Sequence, residues 1–143
     1  MYSFRKSKKG FTLIELMVVV AIIGILALLG LRLYTGQQAK AKEAIVKANA
    51  GTVHTLIQSE LADGPVDLAV LKGAGGSLVT ANLRNPFSGA AMVAADFVEA
   101  APSDGGAAAG QIFVDEIASG ITFEVTGIGA AGNPIPETLT AQR

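Results

Sequence analysis

One carboxylate, Glu15, lies inside an otherwise apolar stretch that covers residues 11–31. A charged side chain in hydrocarbon costs roughly 2.5–3.5 kcal/mol on insertion scales, and less near the edge of the apolar layer. A carboxylate in this position can accept hydrogen bonds at a helix N-terminus, or it can pair with a cation. We therefore ask which donor or cation Glu15 meets.

A local answer is a capping box, because "TLIE" matches the pattern S/T-x-x-E with Thr12 as the N-cap residue. Helix N-termini also favour negative charge. This interpretation does not explain why the polar cap lies beyond Phe11, inside the apolar stretch. A functional role for Glu15 therefore stays open beside the local one.

A basic segment precedes the apolar stretch and contains Arg5, Lys6, Lys8 and Lys9. This arrangement is typical of a cleaved secretory signal peptide or of a transmembrane anchor with its basic end in the cytoplasm. Residues 11–31 would form a helix about 31 Å long, which spans a hydrocarbon core. No small-x-small cleavage site follows, so we favour a retained helix.

Residues 8–27, "KKGFTLIELMVVVAIIGILA", resemble the class III signal peptide of type IV pilin precursors of the type IVa-like kind. The resemblance combines a short basic leader, Gly10, Phe11, Glu15 and a following apolar helix in that order. Downstream of residue 29 it is a resemblance of layout, not of motif.

The resemblance implies that prepilin peptidase cuts between Gly10 and Phe11 and that Phe11 is then N-methylated. It also implies that Glu15 pairs with the N-terminal amine of a neighbouring subunit. Such a buried pair stabilises little but can set register between subunits. Close helix packing at Gly24 and Gly30 is expected in the filament core.

The sequence departs from the family pattern near the end of the apolar stretch, where such pilins often carry a Pro. Arg32 stands there instead. If the helix melts locally on assembly, we expect this between Gly24 and Gly30, because glycine costs about 1 kcal/mol relative to alanine in a helix.

A second apolar pattern predicts that the helix continues to residue 62, before the stop signal of Gly64 and Pro65. Its apolar positions recur every three or four residues and form one stripe: Val46, Ala50, Val53, Ile57 and Leu61. The predicted organisation is therefore a leader over residues 1–10, an apolar core helix over 11–35, an amphipathic helix over 36–62 and a β-rich head over 63–143.

The polar residues of this helix can have a structural role or a binding role. Lys40, Lys42 and Lys47 could contact DNA, but a solvated face or salt bridges to neighbouring subunits is favoured, since aromatic partners are absent nearby. Beyond the first ten residues, seven basic and twelve acidic side chains remain, which argues against general nucleic-acid binding. His54 is interpreted as a partly packed residue, not a ligand.

The head is expected to contain short strands. Residues 111–117 and 121–128 predict a hairpin closed by Gly120, with Ile121, Phe123 and Val125 facing inward. Further strands are expected at 90–100 and, more weakly, at 76–83, whereas 66–73 fits a helical turn or a strand. Residues 103–110 are expected to be a loop and 132–143 an irregular tail.

The expected fold class is α+β, a pilin-like long N-terminal helix with a C-terminal antiparallel sheet packed on its second half. The chain has no cysteine, so no disulfide can reinforce the thin core of the head. We expect filament packing to supply part of its stability.

No enzyme is expected, because the chain has one His, no Cys and no nucleophile–base pair. Asp96, Asp104, Asp115 and Glu116 could line a calcium site, but they lack the D-x-D-x-D-G pattern and are interpreted as solvated carboxylates. "RNPFSG", residues 84–89, is interpreted as a plain turn. No metal or cofactor is expected.

The resemblance implies a structural subunit that self-assembles into a type IV pilus filament on the cell surface. The implied partners are prepilin peptidase, an inner-membrane assembly platform, and membrane lipid around the single-pass precursor. The alternatives are a type II secretion pseudopilin or a minor pilin, and, from another class, a membrane-anchored binding module that forms no polymer. Adhesion, motility and DNA uptake are not distinguished.

Overall fold

The computed structural model describes residues 10–99, 107–118 and 120–143. The described chain forms three helices, one 3₁₀ turn at Ala94–Asp96 and four strands: α1 Leu13–Asp63, α2 Leu68–Leu71, α3 Ser77–Thr80, β1 Phe97–Val98, β2 Ile112–Ala118, β3 Thr122–Ile128 and β4 Pro134–Gln142. Internal contacts divide the chain into two compact units, Met1–Gln37 and Gln38–Arg143.

The part of α1 in the second unit carries the predicted apolar stripe. All five residues of the stripe are at most 3% exposed, from Val46 at one end to Leu61 at the other. Spacings of three and four residues place them on one face of the helix. The helix ends at Asp63, directly before Gly64 and Pro65, as the stop signal predicted.

The four strands form one sheet in the order β1-β2-β3-β4. β2, β3 and β4 are antiparallel neighbours, and β1 pairs with β2 in parallel. The predicted hairpin joins β2 to β3, and Gly120 in its turn has a φ of 66°, a conformation that favours glycine. The α+β architecture of a long helix and a mostly antiparallel sheet is thus confirmed.

The core lies between the stripe of α1 and one face of the sheet. Its strand residues alternate along the chain and are less than 1% exposed: Ile112, Val114, Phe123, Val125 and Ala141. The backbone of β3 comes closest to α1 at Gly127, where an added Cβ would lie 2.6 Å from Cγ1 of Val46. A side chain at this position would therefore push the sheet away from the helix.

Two predicted strands are wrong or much shorter than expected. Residues 76–83 contain the helix α3, with Gly76 as its N-cap and Leu78 buried, and not a strand. Of residues 90–99 of the second predicted strand, only the two residues of β1 are extended in the sheet, and residue 100 falls outside the described residues. There the Asp96 carboxylate accepts the N–H of Val93 at 2.8 Å and closes a 3₁₀ turn instead.

Residues 66–73, for which helix and strand were both open, form the helical turn α2. The carboxylate of its N-cap Asp67 accepts the N–H of Ala69 at 2.8 Å. Residues 107–110 of the predicted loop lie outside helices and strands, while 103–106 fall outside the described residues.

The irregular tail predicted at 132–143 is wrong, because β4 occupies most of it. Pro134 and Pro136 suggested an irregular segment, but proline is tolerated in an edge strand, where a backbone N–H is not needed for the ladder. Inward residues Ile135, Leu139 and Ala141 show the alternation of a strand. Ile121, predicted to face inward, lies in the β2–β3 turn and is 43% exposed.

We predict that Gly127→Ala lowers the free energy of unfolding of the head by about 1–3 kcal/mol, because its Cβ would overpack against Val46. Gly51→Ala is the matched control, since no atom lies within 4 Å of its added Cβ. That substitution should stabilise α1 by up to about 1 kcal/mol. Denaturant unfolding of the full chain in detergent micelles measures both changes, and a Gly127→Ala value equal to wild type would contradict the packing described here.

Candidate functional site

The peptide bond between Gly10 and Phe11 lies in a non-helical segment. α1 begins at Leu13, so Gly10, Phe11 and Thr12 precede it, and all three are exposed. An added Cβ on Gly10 would meet no atom within 4 Å. A protease binds its substrate in an extended conformation, and this bond requires no helix unwinding to adopt one.

Glu15 and Thr12 form the reciprocal contacts of a capping box, as predicted. Glu15 Oε2 accepts the backbone N–H and the hydroxyl of Thr12, both at 2.8 Å, and the Thr12 hydroxyl accepts the N–H of Glu15 at 3.3 Å. These bonds supply partners for backbone groups that the first helical turn leaves open. Both bonds to the carboxylate from the described residues use Oε2, which leaves Oε1 for a second donor.

The first part of α1 carries apolar side chains on all of its sides. Every large apolar residue from Phe11 to Tyr34 is between 51% and 90% exposed within the chain. Among the described residues, α1 is the one helix long and apolar enough to cross a membrane by length and composition. Because its apolar side chains are exposed on every face in the described part of the chain, the segment requires an external apolar environment.

Gly24 and Gly30 both lie inside α1, and no atom comes within 4 Å of an added Cβ at either. Six residues separate them, so they face directions about 120° apart around the helix. A close approach at both positions would therefore involve two different neighbours. α1 is helical through both glycines and through Arg32, and local melting on assembly stays a prediction.

The lysines considered for DNA binding have contacts within their own chain. Lys42 Nζ lies 5.4 Å from the ring centroid of Phe87, and Lys47 forms an ion pair with Glu137. Lys40 is exposed. A solvated face or salt bridges to neighbouring subunits is the interpretation that the sequence favours for these lysines. The observed ion pair of Lys47 is instead formed within its own chain.

Residues 84–89 form a turn, as predicted, and Asn85 fastens it. The Asn85 side chain is 6% exposed, accepts the N–H of Phe87 at 2.9 Å and donates to the carbonyl of Ala109 at 2.9 Å. Asn49 of α1 donates to the carbonyl of Arg84 at 2.9 Å. The turn therefore connects α1 to the loop that leads into β2.

Two of the four carboxylates considered for calcium, Asp96 and Glu116, have other contacts. Asp96 closes the 3₁₀ turn, and Glu116 accepts the N–H of Gly120 at 2.6 Å in the β2–β3 turn. Asp115 lies on β2, and Asp104 falls outside the described residues. Within residues 10–99, 107–118 and 120–143, no three His, Cys, Asp or Glu side chains form a group suited to a metal ion.

His54 and Gln58 make contacts that sequence patterning did not predict in detail. His54 Nε2 lies 3.2 Å from the carbonyl oxygen of Thr140, in line with its interpretation as a packed residue. Gln58 bonds twice to the backbone of Gln142. No local signal identifies these pairs, since 84 or more residues separate the partners.

Residues 5–31 match the family of the prokaryotic N-terminal methylation motif. The chain is 51% identical over 59 residues to the fimbrial protein EcpB of Eikenella corrodens, covering 41% of this chain and 37% of that protein. It is 47% identical over 57 residues to the type IV major fimbrial protein FimA of Dichelobacter nodosus, covering 40% and 36%.

The type IV major pilin protein PilA of Myxococcus xanthus is 45% identical over 56 residues, covering 39% of this chain and 26% of that protein. The chain thus spans between about a quarter and two fifths of the length of these relatives. No solved structure matches the chain.

We predict that Thr12→Ala destabilises the first turn of α1 by about 1 kcal/mol, because it removes the N-cap hydroxyl. Thr52→Ala is the matched control, since the Thr52 hydroxyl bonds only to the carbonyl of Ala48 within the helix. Hydrogen exchange of the backbone amides near residue 15 in detergent micelles should accelerate several-fold in Thr12→Ala and not in Thr52→Ala. Equal exchange in the two variants would contradict the capping contacts.

Proposed function

We propose, from the type IV pilin N-terminal region and class III signal peptide that this chain carries, that it is the structural subunit of a type IV pilus filament. The observation that carries the proposal is the exposed apolar surface from Phe11 to Tyr34, which largely coincides with the matched motif over residues 5–31. Lipid covers this surface in the single-pass precursor, and the α1 helices of other subunits cover it in the filament. The relatives' names, fimbrial protein and major pilin, support a major subunit.

Processing prepares the chain for assembly. Prepilin peptidase hydrolyses the bond between Gly10 and Phe11, which removes the basic leader and frees an ammonium group on Phe11. Methylation of that amine follows and leaves it cationic. The exposure of both residues ahead of the first helical turn supports access to this bond.

Glu15 then pairs with the N-terminal amine of a neighbouring subunit. In the separate chain the carboxylate bonds to Thr12 through Oε2, and Oε1 is the atom available to the incoming cation. A carboxylate and an ammonium in an apolar bundle are each unfavourable alone, and pairing offsets both costs. Since each subunit offers one of each group at its N-terminus, the pairing sets how far neighbouring helices shift along each other.

The remaining roles follow from the two units. The residues of 11–35 form the filament core, and those of 63–143, with the amphipathic helix 36–62, form the surface. An assembly platform in the inner membrane supplies the work that moves each subunit out of the membrane and into the filament. The chain itself performs no catalysis. Binding of nucleic acid has no support in the contacts of Lys42 and Lys47, which are satisfied within the chain.

The mature N-terminus tests the processing step. Protein from sheared cell surfaces should begin at Phe11, carry one N-methyl group and lack residues 1–10. Intact mass and N-terminal sequencing of that protein test all three points. Gly10→Val should leave the uncut chain in the membrane fraction, because a branched side chain obstructs the protease cleft. A surface protein that still carries its lysine-rich leader would refute the proposal.

Replacement of Glu15 tests the pairing. We predict that Glu15→Val reduces the filament yield at least about tenfold, because it leaves the neighbour's ammonium unpaired in the apolar bundle at a cost of about 3–5 kcal/mol, and about 1.4 kcal/mol corresponds to tenfold. Cleavage at Gly10 should continue, and the membrane content of the chain should not fall. Glu60→Gln, a carboxylate change on the same helix, is the control, and normal filaments in Glu15→Val would contradict the pairing.

A further inference from the structure

The longer edge strand of the described sheet is β4, whose one neighbour is β3, while the two-residue β1 forms the other edge. β4 has nine residues, so its outer side is long enough to accept a strand from another chain. An exposed edge strand pairs readily with a second copy and promotes aggregation. This matters most for a protein whose copies come close together at high local concentration.

Alternate residues of β4 direct their backbone groups away from β3, and Thr140 and Gln142 are two of these. Gln58 of α1 accepts the N–H of Gln142 through Oε1 at 3.2 Å and donates from Nε2 to its carbonyl at 2.7 Å. In an antiparallel pair, one residue exchanges the same two bonds with its partner. The side-chain amide of Gln58 thus occupies both positions that an added strand would use.

His54 occupies the next outward carbonyl along β4. Its Nε2 lies 3.2 Å from the oxygen of Thr140, and because a carbonyl oxygen can only accept, Nε2 carries the proton. His54 and Gln58 are four residues apart, so one side of α1 presents both to the edge. Their contacts meet Thr140 and Gln142, two successive outward residues at the C-terminal end of β4.

The start of β4 is protected in another way. Pro134 and Pro136 have no backbone N–H to offer to an added strand. Glu137 lies in β4 between Pro136 and Thr140, and its carboxylate forms an ion pair with Lys47 of α1. Proline and inward-held charge are both means by which edge strands avoid pairing.

We infer that His54 and Gln58, together with Pro134 and Pro136, close the outer edge of β4 to strand addition by a second copy of this chain. The device goes beyond the proposed function, because it determines which surface copies do not use when they associate. Copies then meet through the apolar part of α1 and not through their sheets. It also fastens the C-terminal strand to α1 in a chain that has no disulfide.

A cysteine reporter on the edge tests the inference in the full, uncut chain in detergent micelles. The chain has no cysteine, so Thr140→Cys introduces a single thiol at an exposed position of β4. In this background, His54→Ala with Gln58→Ala should raise the fraction of disulfide-linked dimer several-fold and slow amide exchange along β4. Thr55→Ala with Ser59→Ala is the control, because those hydroxyls bond to carbonyls of their own helix.

Gln58→Met keeps the length of the side chain and removes its amide, so it provides the same test if the double variant unfolds. It should show a smaller rise in cross-linking than the double variant. Dimer yields equal to the control in variants that keep the β3–β4 amides protected would overturn the inference. Since the test needs no cleavage and no filament, its failure is distinguishable from failure of the proposed function.

Discussion

The structure depends on one constraint, which is that the first part of α1 exposes apolar side chains on all of its sides among the residues that the structure describes. The later part of the same helix shows the contrast, since one stripe there is buried under the sheet and the other faces are polar. At roughly 25 cal/mol for each Å² of apolar surface removed from water, leaving the first part in water is the least favourable state of the chain. In the function proposed above, lipid and other copies of the helix are the two environments that satisfy it.

Glu15 is the one carboxylate within this apolar segment, and it has both a local role and a proposed role in assembly. The Thr12 contacts satisfy one oxygen of its carboxylate and start the helix, so the residue contributes to folding before any partner is present. The same contacts hold the second oxygen near the chain end, where the proposed cleavage creates a cation. The local role and the proposed assembly role are therefore compatible, and the first positions the carboxylate for the second.

The parts of the fold that sequence patterning predicted are those set by local or periodic signals. The capping box, the stripe from Val46 to Leu61 and the glycine of the β2–β3 turn each follow from residues close in the chain. β4 was missed because Pro134 and Pro136 indicate an irregular segment unless the strand is known to lie at an edge. Residues 76–83 predict a strand and not the helix α3, because the four residues of α3 contain too little periodicity to distinguish a helix from a strand.

Other features arise from tertiary contacts that no local pattern carries. Asn85 fastens its turn to a carbonyl 24 residues away, and Gln58 meets Gln142 across 84 residues. Gly127 is required by the approach of Val46, which sequence spacing does not reveal. The sequence thus predicts the capping contacts of Thr12 and Glu15, whereas the connections that hold the head together required the structure.

The pairing of Glu15 with the amine of a neighbouring subunit can be measured directly in assembled filaments. Half of the subunits would carry ¹³C at the Glu15 carboxylate and half would carry ¹⁵N at Phe11, so that solid-state NMR dephasing reports contacts between subunits alone. The account predicts a carbon–nitrogen distance of about 3–4 Å, as for a charge-assisted hydrogen bond. Filaments in which the two labels show no dipolar coupling would contradict it.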